Sequence, residues 1–304
     1  MSVPWINTLW RAAKNWNADN AFKHSAAVSF YTLFSIAPVT IIAVTIGAVF
    51  LGQEAATQQF KSQVGQLVGP ASAELVQAAA TATRAQGRSW FSAAVGIALL
   101  LVGATSVFAQ LQDSLNDIFG VRARPGRRAW SALILRRVIS FAMVLTVGFL
   151  LLVSLVITTM LTSALGFLQE GILASPVLMK TADITVGLAV ISLLFALLFK
   201  VLPDVKLRWQ DAGLGAFLTA ALFTLGRYGI ALYLGHSTIA SIYGTAGSLV
   251  ALLIWVYYSC AILFYGAEFI RAYRSAQHLN VEPKENAVAV REEVVPRPAP
   301  KSRG

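Results

Sequence analysis

The chain has 304 residues, of which 57% are hydrophobic and 12% are charged, against about 25% charged in soluble domains. So little charge excludes a water-soluble globular protein, and the length suits one membrane domain with short loops. The net charge of +10 raises a nucleic-acid reading, which the distribution of the charges decides. A single cysteine, Cys260, permits no intrachain disulfide.

The first 23 residues contain no apolar core of the kind a cleavable signal peptide needs, so none is expected. Within them, Trp5, Ile6, Leu9, Trp10, Ala13 and Trp16 recur at helical spacing, with Arg11 and Lys14 towards the other side. Such a basic, Trp-rich amphipathic helix lies in a headgroup region or packs on the cytoplasmic end of its own protein, and both can hold. This segment, 1–23, precedes a transmembrane domain over 24–274.

The first span is expected over about 26–51, with Pro38 near its middle as a kink. The carbonyl freed near Phe34 needs another partner in a bilayer, for which Ser29, Thr32, Ser35 and Thr40 are the local candidates. Residues 52–88 read as two short amphipathic helices on the outer face, broken at Gly69-Pro70. A second span follows over 90–112, and its helix continues into a polar stretch with Asp113 and Asp117 one turn apart. The pair suggests acid–base chemistry, but a solvated helix face is the favoured reading. After the arginine-rich loop come spans over 138–161 and 184–202, then a hairpin of spans 212–235 and 248–268. From Tyr228 to Ala267 there is no Asp, Glu, Lys or Arg across 40 residues, ample for the ~20 residues that cross a bilayer. Residues 275–304 read as a disordered cytoplasmic tail.

Charge sets the orientation. Of the 24 Lys and Arg residues, 19 fall in the N-terminus, 120–137, 200–208 and the C-terminal end. Four fall in the alternate intervals, and Arg227 lies inside a span. Positive charge is retained on the cytoplasmic side, so the fold class is an all-α integral membrane protein with six transmembrane helices, N-in and C-in, with amphipathic interfacial helices. The basic loop holds one aromatic residue, Trp130, which is too few to stack bases, so no nucleic-acid partner is expected. The bilayer and anionic headgroups are the expected partners.

The stretches AAVSFYTLFSIAP, DSLNDIFGV, FKVLPDVKLRWQDAGLGA and YGTAGSLVALLIWVYYSCAILFYGAEFIRAY resemble the YihY/BrkB family of bacterial inner-membrane proteins. The resemblance runs from about residue 15 to 275, carried by LP-x-x-x-x-x-W-x-D, YG-x-x-G and GAE. It implies a multi-pass protein of the bacterial inner membrane, and it brings labels of ribonuclease BN, of virulence or serum-resistance factor, and of envelope lipid export. The residues speak against the first. His24, His236 and His278 are scattered, and no H-x-H or H-E-x-x-H arrangement exists. No catalytic residue, metal or cofactor is assigned.

Arg227 is the sharpest feature. It follows Asp211 by 16 residues, or roughly 24 Å along a helix, and its depth differs from that of Glu268 by roughly 20 Å, which excludes a direct ion pair. It snorkels, bonds to hydroxyls such as Tyr243 or Ser248, or meets an anion. Glu268 is either part of the same substrate-binding set or a helix-end salt bridge to Arg136, Arg137 or Lys206. Gly213, Gly215 and Gly226 permit close helix approach, while Gly244 and Gly247 shape the turn around Tyr243, a connection or a gate. The leading expectation is a non-enzymatic protein that moves or presents an amphipathic anionic substrate of lipid type in envelope maintenance. The alternative is a scaffold or accessory subunit with envelope protein partners or copies of itself, and a ribonuclease ranks third.

Overall fold

The computed structural model describes residues 5–35, 106–124, 176–236, 247–285 and 287–290, with a few positions between 52 and 62. These comprise α1 (Trp5–Ala18), α2 (21–35), α3 (106–118), β1 (Val121–Ala123), α4 (Pro176–Val201), β2 (Val205–Lys206), α5 (Trp209–His236), α6 (Gly247–Ala276), β3 (Glu282–Pro283) and β4 (Ala287–Ala289). The expected span 138–161, the outer-face helices over most of 52–88, Pro38, Tyr243 and Gly244 lie outside the described residues.

The described part is predominantly helical, and one helix, over Leu249–Ala276, is long and apolar enough to cross a membrane. A shorter apolar stretch occupies Gly187–Val201 of α4. Large apolar side chains face outward on several helices, among them Phe30 and Phe34 on α2, Leu193 on α4, and Phe217 and Leu225 on α5. An outside this apolar suits lipid or another apolar surface.

Helices α5 and α6 form an antiparallel hairpin whose register is visible at four levels. Asp211 meets Arg274, Gly215 faces Ile270, Thr219 faces Gly266, and Gly226 faces Tyr258. At Gly215, Gly226 and Gly266 a Cβ would collide with the opposing side chain. Small residues thus bring the two helices together. Gly213 differs, since a Cβ there meets nothing. Helix α4 packs on the hairpin through a run of rings: Phe195 to Phe223 at 5.8 Å and Phe223 to Trp255 at 5.9 Å.

The hydroxyls of α2 stay local. Ser29, Thr32 and Ser35 donate to the carbonyls of Ala26, Val28 and Thr32 of their own helix. The α1–α2 turn bends at Asn20, φ 55°, a conformation asparagine tolerates. Helix α6 closes with the Leu279 N–H donating to Arg274 O at 2.9 Å and His278, φ 58°, in the left-handed position.

The expectation of a disordered tail from residue 275 is corrected over its first part. Strand β3 pairs antiparallel with β2, Lys206 opposite Glu282, and β4 pairs with β1, Val121 opposite Ala289. A composition argument averages over the tail and misses that a short run such as Ala287–Val290 can add to edges supplied by the α3 and α4 ends. Ala287 is 4% exposed. As a result the N-terminal helix, the start of the arginine-rich loop, the α4–α5 turn and the tail, all basic segments assigned to one side, meet at one end of the molecule.

The packing predicts opposite outcomes for two glycines. Gly266→Ala, crowding buried Thr219 and Phe199, should lower thermal stability in detergent by about 1–3 kcal/mol. Gly213→Ala should be neutral or stabilising, by up to ~1 kcal/mol. Thermal unfolding of both variants checks this.

Candidate functional site

Three polar assemblies share the end where the basic segments meet. The first is the α1–α6 seam. Trp16 donates its indole N–H to Ala261 O at 2.9 Å, the Tyr265 hydroxyl donates to Leu9 O at 3.2 Å, and Trp5 stacks on Tyr273 at 5.8 Å. Thr8 and Ala12 form the buried stripe of α1, while Trp5, Ile6 and Trp10 remain exposed. The apolar face of α1 is therefore wider than α6 covers.

Beneath this seam lies Glu268, fully buried, beside Asp19 and Asn15, with no well-formed hydrogen bond to either carboxyl oxygen among the described residues. Its cationic partner among the described residues is Arg271, Nη1 to Oε1 at 3.5 Å, and the same nitrogen binds Asp19 at 2.5 Å. Arg271 thus bridges a carboxylate of the α1–α2 turn and one buried in α6. The cation that Glu268 meets belongs to its own helix, one turn on, rather than to the Lys206 group; Arg136 and Arg137 lie outside the described residues. His24 stands beside this group, edge-on to Phe264 at 6.1 Å. Burial lowers its pKa below the usual histidine value, the largest effect; Asp117 and Asp19 oppose it, and Lys23 adds to it.

The second assembly centres on Asp204 in the α4–α5 turn. Asn116 accepts from the Asp204 backbone N–H at 2.7 Å and donates to its carboxylate at 2.8 Å; Gln112 donates at 3.4 Å, and the Lys284 N–H donates to the Asp204 carbonyl at 2.8 Å. Gln112 and Asn116 occupy the buried face of α3, and Asp113 and Asp117 the exposed face. Asp117 lies 3.7 Å from Arg122 across solvent. The acidic pair accordingly belongs to a solvated face.

The third is the buried ion pair of Asp211 and Arg274, 2.6 Å apart, with Arg274 also donating to Asn280 O at 2.8 Å. It ties the first turn of α5 to the last turn of α6. Sequence reasoning passed over both residues. A usable signal existed: opposite charges at the abutting ends of an antiparallel hairpin.

Of the proposed substrate residues, Arg227 is half-buried on α5 beside Gly226, at the level of Tyr258. Ser248 lies in the first turn of α6, and Tyr243 lies outside the described residues. The hairpin register separates Arg227 from Glu268 by about ten residues, or about 15 Å, so they do not meet. Gly247 opens α6 and is buried.

The helical fold, its outward apolar residues and the membrane-length α6 fit an α-helical membrane protein, the class to which its relatives belong. The chain belongs to the family described as Virulence factor BrkB, which matches residues 12–291. Its relatives include proteins named UPF0761 membrane protein. That of Alkalilimnicola ehrlichii is 28% identical over 274 residues, covering 88% of this chain and 58% of its own length. That of Methylibium petroleiphilum is 27% identical over 295 residues, covering 95% and 67%. That of Tolumonas auensis is 34% identical over 184 residues, covering 58% and 55%. The chain spans about three fifths of the length of the curated relatives it matches first. No solved structure matches it.

Two measurements follow from the seam. Arg271→Gln should destabilise the protein more than Glu268→Gln does. In the Glu268→Gln background the same arginine change should cost less, by up to about 1 kcal/mol, because no buried carboxyl group then loses its cationic partner. A double-mutant cycle in denaturant reads this coupling. His24, with its folded pKa lowered, disfavours the protonated form. Its contribution is unchanged above the unfolded value of about 6.5, and stability falls as pH drops below that value until the folded pKa is passed. His24→Gln should flatten the difference in melting temperature between pH 7.5 and 5.5, taken as about one unit either side of that value.

Proposed function

We propose that this is a non-enzymatic, six-span protein of the bacterial inner membrane, both termini inside, that moves or presents an amphipathic anionic substrate of lipid type in envelope maintenance. Arg227 carries the reading: it is a half-buried cation and the one Asp, Glu, Lys or Arg in the stretch 212–267. Intramembrane arginines cost at least ~2.5–3.5 kcal/mol and mark ligand or ion paths more often than lipid-facing surface. The exposed Trp5, Ile6 and Trp10 beside Arg11 and Lys14 support a cytoplasmic face in contact with anionic headgroups. Ser248, about ten residues from the Tyr258 level towards the start of α6, stands as far from Arg227 as Glu268 does, about 15 Å, so it would meet a different part of an extended amphipathic ligand; Tyr243 completes the set in this reading. Glu268 sits too far along α6 to share the same ligand group and instead holds α1 in place.

A scaffold or accessory role is the second reading. It draws on the outward Phe30, Phe34, Phe217 and Leu225, which a second copy or an envelope protein would cover as well as lipid does.

The discriminating comparison is Arg227→Lys against Arg227→Gln. With a phosphate-bearing ligand, lysine loses the planar two-pronged donor geometry and should impair complementation of an envelope defect, and glutamine more so, at normal abundance and melting temperature. Full activity of the lysine variant would remove ligand binding from this residue and favour snorkelling.

A further inference from the structure

A pocket of about 430 Å³ opens between the α4–α5 turn and the chain leaving α6, lined by Lys206, Leu207, Arg208, Arg274, His278, Leu279, Asn280 and Glu282. Its size is that of a ligand site. We propose that it binds a phosphate group, from a phospholipid headgroup or a free phosphate ester, at the cytoplasmic surface. The proposal does not depend on Arg227 or on movement of a substrate, since the pocket sits at the opposite end of α5.

The local sequence creates the charge. Residues 205–208 alternate buried Val205, exposed Lys206, buried Leu207 and exposed Arg208. An extended chain places alternate side chains on one face, so both cations point away from the core together. Neither forms an ion pair among the described residues. Lys206 does stand opposite Glu282 in the β2–β3 register, so that carboxylate offsets part of the charge, and Arg208 carries the excess.

Arg274 forms the floor. It is 6% exposed and held by Asp211 and Asn280 O, and its buried Nε has no hydrogen-bond partner among the described residues. An unmet buried donor on a residue that lines a cationic pocket is what a bound anion would satisfy. His278, in the left-handed turn that closes α6, also lines the pocket. Exposed Trp209 adjoins Arg208, with the Lys200 ammonium 5.7 Å from its ring. A tryptophan and lysine side by side match the headgroup level of a bilayer.

The test uses the full chain, purified in neutral detergent. Inorganic phosphate against chloride at matched ionic strength, phosphatidic acid, and phosphatidylcholine are compared by thermal shift and by lipid retention in native mass spectrometry. Phosphate and phosphatidic acid should bind and phosphatidylcholine should not. Lys206→Gln with Arg208→Gln should weaken binding by about tenfold or more, as expected for lost charge-assisted contacts. Lys23→Gln should leave it unchanged. Both altered side chains are exposed, so the unliganded melting temperature should hold. Binding of phosphatidic acid alone assigns a lipid ligand, and binding of phosphate alone assigns a free phosphate ester. Unchanged affinity in the double variant, or no binding of either probe at millimolar concentration, overturns the proposal.

Discussion

Two ionisable side chains buried in the last turns of α6 set the terms for this structure. Arg274 and Glu268 both lie towards the C-terminal end of α6, almost without solvent. Each needs a partner there, or in the case of a carboxyl group must stay protonated, because a buried charge without a partner costs several kcal/mol. Arg274 draws in Asp211 from the first turn of α5 and the Asn280 carbonyl from the chain that follows. Glu268 depends on Arg271, which in turn holds Asp19 from the α1–α2 turn. The hairpin, the N-terminal helix and the start of the tail are therefore organised by the same few turns of one helix.

The close approach of α5 and α6 makes this possible. Gly215, Thr219 and Gly226 on one helix and Gly266 on the other let the backbones pack near each other, and that packing fixes the register at which Asp211 reaches Arg274. A second consequence is functional. The same register puts Arg227 at the level of Tyr258, well away from Glu268. Glu268 thus belongs to the assembly at the end of the hairpin with Arg271 and Asp19, while Arg227 stands apart from it along α5.

Much of this was legible in the sequence where it rests on composition and periodicity. The apolar lengths of α4, α5 and α6, the amphipathic α1 and the small residues of α5 all follow from spacing alone. The charge asymmetry grouped the N-terminus, the 120s loop, the 200s turn and the tail, and the structure joins described parts of all four. Pairings between distant segments were not legible. Asp19 with Arg271, Asn116 with Asp204 and Asp211 with Arg274 depend on register and helix rotation, which no local pattern encodes. The tail misled for a related reason: its charged, proline-bearing composition reads as disorder, while the edges that order residues 282–289 belong to distant parts of the chain.

The central claim is that the basic segments form one cytoplasmic assembly, with the α5–α6 turn on the other side of the membrane. Thiol accessibility tests it most directly. In a Cys260→Ser background, single cysteines replace Gly126, Ser237 or Ser275, and intact cells are treated with a membrane-impermeant maleimide. The account predicts labelling at position 237 in intact cells, and at positions 126 and 275 only after the membrane is opened. Labelling of position 126 or 275 from outside would contradict it.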